Sequence, residues 1–351
     1  MILQLALSLL VACLVSAVSV PFVIRFAKKA KLLDDPKTHH HPAILHKKPI
    51  PRAGGLSIFI GILTAVIIFI PLDNFIKAIM FGGVVVVATG ILDDKYDLSP
   101  YLRFFINIVT AVIAVMAGVT IPFVTNPLGG ILHFTNFEFI LFTYPFHVGD
   151  VFAVIWIVWV MNMLNWSKGV DGQMPGIASI SAFVIGIAAL RFVNVEQLSL
   201  TTSLLSFIVA GASLGFLFFN FYPAKIFPGY SATILGYFIG ILSITSGVKL
   251  ATAVLVMGVP TVDAILTILR RLLAKRSPFW HDRGHLHHLL LNSGMGHRGI
   301  AVFYWLMSLI LGVVALSVSS RGKLFAIILV IVVVAGIVFM LRFAGKRQGY
   351  D

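Results

Sequence analysis

Apolar runs of membrane-crossing length alternate with short polar segments along the whole chain. A spanning helix needs about 20 mostly apolar residues. On that rule the sequence predicts eleven spans, at 2–24, 54–72, 76–92, 101–121, 150–166, 175–192, 200–221, 231–246, 249–271, 300–318 and 323–343. The third and eighth are short, as expected of helices that are tilted or packed behind others. The polar segments form two sets. One comprises 25–53, 93–100, 167–174, 222–230, 272–299 and the C-terminal tail; with its edges it carries 21 of the 26 Lys and Arg. Basic residues collect in cytoplasmic loops, so this bias puts the N-terminus outside and the C-terminus in the cytoplasm. The other set has one long member, 122–149. There Gly129-Gly130 and the partial alternation from Ile131 predict a small external β-hairpin. No repeat or low-complexity linker divides the chain, so 1–351 reads as a single integral-membrane domain. The first run lacks a basic start and a small-residue cleavage site and reads as a retained helix.

Composition sharpens this picture. The chain is 59% hydrophobic and 11% charged, against about 25% charged in soluble domains. It is predicted to be an all-α polytopic membrane protein, with the bilayer as a partner. The net charge of +13 would suit nucleic acid, but the basic residues sit between apolar runs, where they meet anionic lipid. No nucleic-acid partner is expected. Cys13 is the only cysteine, which excludes an internal disulfide and a cysteine zinc site.

The candidate chemistry lies in the basic set of segments. The first holds His39, His40, His41, Lys47, Lys48 and Arg52 ahead of Gly54-Gly55. Cations beside a helix N-terminus hold phosphate together with free backbone N–H groups; a solvated loop touching lipid headgroups is the alternative. The three-histidine run reads as interfacial rather than metal-binding. The second segment holds Asp93, Asp94 and Asp97 in a chain with only 13 acids. Adjacent carboxylates resist desolvation and suit a divalent cation, or a base and its electrostatic partner. The third places Asn162 and Asn165 on one helix face, ahead of Lys168, Gly169, Asp171 and Gly172. Buried asparagines also serve helix–helix hydrogen bonds. The fourth runs from Asn220 through Pro223, Lys225 and Pro228-Gly229-Tyr230, with Ser231 as a cap for the next helix. The fifth holds Asp282, His285, His287 and His288 beside five basic residues between Arg270 and Arg283. That charge favours an anion over zinc, and Leu286, Leu289 and Leu290 suit an interfacial helix. Asp263, inside the ninth span, is either functional or a structural hydrogen-bonding partner of the cleft.

Five of these patterns occur in order: Pro51-Arg52-Ala53-Gly54-Gly55, Asp93-Asp94, Asn162-Met163-Leu164-Asn165 with Gly169-Val170-Asp171-Gly172, Phe219-Asn220 with Pro223-Ala224-Lys225, and Ser277-Pro278-Phe279 with Asp282 to His288. Together they resemble the polyprenyl-phosphate N-acetylhexosamine-1-phosphate transferases (glycosyltransferase family 4). The resemblance runs from His46 to His288. The last motif is more similar to the branch using UDP-N-acetylglucosamine than to the phospho-N-acetylmuramoyl-pentapeptide branch. It implies transfer of a sugar-1-phosphate from a UDP-sugar to polyprenyl phosphate, with release of UMP, at the start of cell-envelope glycan synthesis. It implies Asp93, Asp94 and Asp171 as catalytic residues and as ligands of Mg2+, with Mn2+ as an alternative. Lys47, Lys48, Arg52, Asn162, Asn165, Asn220, Asp282, His285, His287 and His288 are implied to bind substrate. A homodimer is compatible with it. Two positions depart from the family pattern. Lys168 and Tyr230 each stand where the family has Asp, the second of these a magnesium ligand, a change of +3 in formal charge. An active transferase with an altered metal site is therefore weighed against a non-catalytic relative that binds nucleotide sugar or lipid phosphate, and, more remotely, a transporter.

Overall fold

The computed structural model describes residues 1–37, 48–125, 130–134, 138–141, 144–193, 197–247, 250–280 and 282–347. The structure is mostly helical. The long helices are α1 (Ile2–Lys29), α3 (Asn74–Tyr96), α5 (Val148–Trp166), α6 (Gln173–Ala189), α7 (Gln197–Asn220), α12 (His297–Ser317) and α13 (Ser320–Arg347). These seven are long and apolar enough to cross a membrane, α6 counted with the 3-10 turn Leu190–Phe192 that extends it. The helices α2 (Gly54–Phe69), α4 (Pro100–Met116) and α8 (Thr233–Thr245) are shorter and apolar, and stand where three further spans were predicted.

The ninth predicted span is not one helix. It divides into α9 (Leu250–Val256) and α10 (Gly258–Leu273), bent by 83°. Met257 stands at the break with φ −98° and ψ 21°, and Pro260 removes an N–H from the first turn of α10. Counted together the pair would make an eighth span. The bend brings Asp263 of α10 against α11 (Leu286–Asn292).

Helix ends follow local chemistry. The Asp73 carboxylate accepts the Ile76 N–H at 2.8 Å and starts α3. Asp97, in the left-handed region with φ +49°, ends it. The third span is therefore longer than predicted, and Asp93 and Asp94 lie in its last turn rather than in a loop. Pro100 sits in the first turn of α4, where its missing N–H costs nothing. Ser231 does not cap α8: its hydroxyl donates to the Pro228 carbonyl at 3.4 Å, and a 3-10 turn at Tyr230–Ala232 precedes the helix.

The predicted single external hairpin is instead two antiparallel pairs. β3 (Phe123–Thr125) pairs with β4 (Ile131–His133), and β5 (Glu138–Leu141) with β6 (Tyr144–His147). A third pair, β1 (Leu33–Asp34) with β2 (Ile50–Pro51), was not expected. One hydrophobic core runs through all the long helices, and α8 lies inside it with nearly every residue buried. Outward faces of α1 and α13 expose large apolar side chains such as Leu14, Phe22, Leu329 and Phe339, as expected of lipid-facing helices.

Candidate active site

A cavity of about 1070 Å³ is lined by residues from all five basic segments. Of the residues singled out in the sequence, Lys48, Arg52, Asp93, Asp94, Asn162, Asn165, Asp171, Asp282, His285, His287 and His288 line it. Lys47, His39, His40, His41, His46 and His281 lie outside the described residues.

The N-terminus of α2 is used by the protein itself. Gly54 N–H donates to the Phe227 carbonyl at 3.1 Å, and Gly55 N–H to the Pro228 carbonyl at 3.0 Å. These N–H groups are not free for phosphate, contrary to the sequence expectation. They stitch the first segment to the fourth and leave Arg52 at the cavity, paired with Asp34 at 2.9 Å.

Asp93 and Asp94 form one wall, and each is engaged differently. Arg103, in the first turn of α4, places Nη1 3.1 Å from both Asp93 oxygens. Leu98 N–H also donates to Asp93, at 3.1 Å. Asp94 Oδ1 accepts the Tyr230 N–H at 3.0 Å. Its Oδ2 is buried with no hydrogen-bond partner among the described residues. Gly229, at φ +66°, lets the chain pass here, because a Cβ on it would sit 2.1 Å from that oxygen.

Tyr230 fills the space beside these acids. Its hydroxyl accepts from Asn107 Nδ2 at 3.1 Å. Two cations lie over its ring, the Arg103 guanidinium carbon at 5.0 Å and Lys168 Nζ at 5.9 Å, within cation–π range. Lys168 also donates to the Gly229 carbonyl at 3.4 Å. Burial pulls the Lys168 pKa down to about 8; Asp94 and Asp93 oppose that fall, while Arg52 and Arg103 add to it.

Asn162 and Asn165 both reach the cavity, as their shared helix face predicts. Asn162 Nδ2 donates to the Val158 carbonyl one turn earlier at 2.8 Å, and Asn165 Oδ1 is buried without a hydrogen-bond partner among the described residues. Asp171 Oδ2 accepts the Ala224 N–H at 2.9 Å. Asn220 does not line the cavity. Its Oδ1 accepts from Gly172 N–H at 3.0 Å and its Nδ2 donates to the Ile226 carbonyl at 2.9 Å, so its amide ties the third segment to the fourth.

The histidines sit on and before α11. Asp263 accepts the Leu286 N–H at 2.7 Å with one oxygen and approaches His285 Nδ1 at 2.9 Å with the other. The acid of the ninth predicted span therefore orients a cavity histidine. The helix packs these side chains into the protein: Leu286, His287, His288 and Leu290 are all buried. The rings of His285 and His287 stack 5.4 Å apart. His287 lies so close to Gly169 that a Cβ there would fall 1.8 Å from its Nε2. Burial lowers the His287 pKa, and His288 and His285 lower it further. Asp282 accepts from Arg270 Nη2 at 2.7 Å on each oxygen and from Arg271 Nε at 3.2 Å. Burial raises its carboxyl, but the Arg270 and Arg271 hydrogen bonds outweigh that and hold it well below the usual carboxylate range.

The sequence reading expected Asp93, Asp94 and Asp171 to hold magnesium, which takes an octahedron of oxygens. Among the described residues no three His, Cys, Asp or Glu side chains group closely enough to hold a metal ion. Asp93 is paired with Arg103, Lys168 lies against the Asp94 wall, and Tyr230 adds no charge. The residues present do not fit a magnesium site. Arg103 and Asn107 escaped the sequence reading. Arg103 carried one signal, an isolated cation at the mouth of an apolar run beginning at Pro100.

A family model described as glycosyl transferase family 4 matches residues 76–247. A Bacillus subtilis protein named "Probable undecaprenyl-phosphate N-acetylglucosaminyl 1-phosphate transferase" is 33% identical over 345 residues, covering 94% of this chain and 90% of that one. A decaprenyl-phosphate N-acetylglucosaminephosphotransferase of Mycolicibacterium smegmatis is 29% identical, covering 88% and 81%. An undecaprenyl-phosphate alpha-N-acetylglucosaminyl 1-phosphate transferase of Escherichia coli K12 is 27% identical, covering 83% and 77%.

Proposed function

The chain belongs to glycosyl transferase family 4, and from that premise we propose that its cavity transfers a sugar-1-phosphate, N-acetylglucosamine-1-phosphate in first place, from a UDP-sugar to polyprenyl phosphate. The convergence of five separate polar segments on one cavity carries this reading. A soluble nucleotide sugar and a lipid phosphate are both anions, and Lys48, Arg52, Lys168, Lys225 and Arg271 line the space where they would meet.

In the reaction an oxygen of the lipid phosphate forms a bond to the sugar-bearing phosphorus. The bond from that phosphorus to the oxygen bridging to uridine monophosphate breaks, and the electron pair leaves with UMP. Phosphoryl transfer of this kind depends on alignment and charge neutralisation more than on covalent help from the protein. Arg52 and Lys168 would hold the diphosphate, and the His285–His288 group, fixed through Asp263, would hold phosphate oxygens by N–H donation. Asp94, whose Oδ2 has no hydrogen-bond partner among the described residues, would orient a group or accept a proton. Asp93 acts through Arg103, which it fixes. Asn220 positions the third and fourth segments. We further propose that the single membrane-embedded domain has eleven membrane elements, with the cavity on the cytoplasmic face of the inner membrane. The basic bias of the segments that form the cavity supports that orientation.

The test is transfer of radiolabelled N-acetylglucosamine-1-phosphate from its UDP form to undecaprenyl phosphate by purified protein in detergent. The expected result is a labelled lipid product with equimolar UMP. Nucleotide-sugar binding without turnover, in protein that stays monodisperse, overturns the transferase reading in favour of a non-catalytic relative.

A further inference from the structure

Three acids of the cavity wall are already paired with cations of the chain. Asp93 is paired with Arg103, Asp34 with Arg52, and Asp282 with Arg270 and Arg271. Asp94 Oδ2 has no hydrogen-bond partner among the described residues, and Asp94 feels Lys168 and Arg52 as its nearby cations. A divalent ion bound at Asp93 and Asp94 would stand beside Lys168 and Arg103 with no cluster of carboxylates to offset their repulsion. The Tyr230 ring closes the space further: Asn107 fixes its hydroxyl, and the two cations lie over it.

A diphosphate has the opposite relation to this wall. Seven Lys and Arg against six Asp line the cavity, so an added anion is favoured and an added dication is not. Lys168 is the member suited to receive it. It is held by a carbonyl and a ring face, both weaker partners than a carboxylate ion pair, and burial makes its ammonium short of solvation. Asp94 and Asp93 act on the ammonium without a direct ion pair among the described residues, and a phosphate oxygen would supply that direct charged contact.

We propose that Lys168, with Arg52 and Arg103 beside it, neutralises the diphosphate of the nucleotide sugar directly, so that this site takes a nucleoside diphosphate without a divalent cation. The proposal rests on the transferase reading for the identity of the ligand. Tyr230 then serves as the platform that holds the two cations at the wall while they are unliganded, in place of a metal ligand.

The experiment is UDP binding by the full chain in detergent, measured calorimetrically in EDTA and in millimolar magnesium. The affinity is expected to be the same in both. Lys168→Met is expected to weaken UDP binding in EDTA by about tenfold, the loss of one charge-assisted contact, and Lys168→Arg to recover most of it. The double change Lys168→Asp with Tyr230→Asp is expected to make binding depend on magnesium. UDP binding that disappears in EDTA and returns with magnesium overturns the proposal and leaves the transferase reading standing. Binding untouched by Lys168→Met also overturns it. Should that variant fail to fold, the EDTA and magnesium comparison on the unaltered chain decides alone. No UDP binding in either condition, by protein that keeps its thermal transition, overturns the transferase reading and the proposal together.

Discussion

His288 shows how a single residue in this protein changes meaning once it is buried. In sequence it is one cation candidate among several in a basic segment. In the structure burial pulls its pKa down to about 4, with His285 and Arg283 pushing the same way and Asp263 and Asp282 opposing. An unfolded imidazole takes its proton near pH ~6.5. Between these values the unfolded chain binds more protons than the folded one, so stability rises with pH across that window. The contribution is complete above about pH 6.5 and is lost as pH falls toward about 4. The thermal midpoint of the protein in detergent is expected to fall over that range, and His288→Gln to flatten part of the slope. A flat profile for the unaltered chain would contradict this. The residue scale was only partly legible in the sequence. Asp93 and Asp94 announce themselves as adjacent acids after an apolar run, but the sequence is silent on how they are paired. Arg103 lies ten residues beyond Asp93 and reaches it only because α3 ends at Asp97 and α4 begins at Pro100. Asn220, singled out as a ligand-binding residue, spends its amide on two backbone groups instead.

At the scale of elements, close backbone packing decides where the site residues stand. A Cβ on Gly90 would lie 2.2 Å from the Ser231 Cα and N, and one on Gly55 would lie 2.1 Å from the Ser231 carbonyl carbon. The helices α2 and α3 therefore press on the turn that carries Tyr230, and that pressure sets the Tyr230 N–H to Asp94 contact. Gly90→Ala is expected to destabilise the protein by about 1–3 kcal/mol through overpacking, and to weaken UDP binding as the turn shifts. Thermal unfolding and UDP calorimetry on one preparation check both. An unchanged midpoint would show that the turn yields without cost. The bend between α9 and α10 was hidden from the hydropathy pattern, because both halves are apolar and a run of hydrophobic residues carries no direction. Gly258 and Pro260 are visible in the sequence, yet glycine and proline also occur in unbroken membrane helices. Only the packing of α9 against α6, α12 and α13, and of α10 against α13, shows that the break is used.

The whole molecule sets a bundle with a basic face, and the orientation proposed for it has a direct test. In a Cys13→Ser background, single cysteines at Ile131 and Lys275 are treated on intact cells with a membrane-impermeant maleimide. The cysteine replacing Ile131 is expected to label from outside, and that replacing Lys275 only after permeabilisation; the reverse pattern would overturn the orientation. The sequence by itself determined that this is a polytopic helical membrane protein. It also picked out the polar segments that line the cavity, because transfer of apolar side chains into lipid depends on composition over about 20 residues and needs no knowledge of neighbours. Together with the order of its motifs, it pointed to the family. Tertiary structure decided the rest. It put five distant segments around one cavity, turned Asp263 into the orienting partner of His285, closed the α2 N-terminus against its own fourth segment, and set Lys168 and Arg103 beside the acids expected to hold a metal. Those outcomes depend on distances between residues far apart in the chain. Electrostatic partners act over a few ångströms, and only the packed bundle brings them within that range.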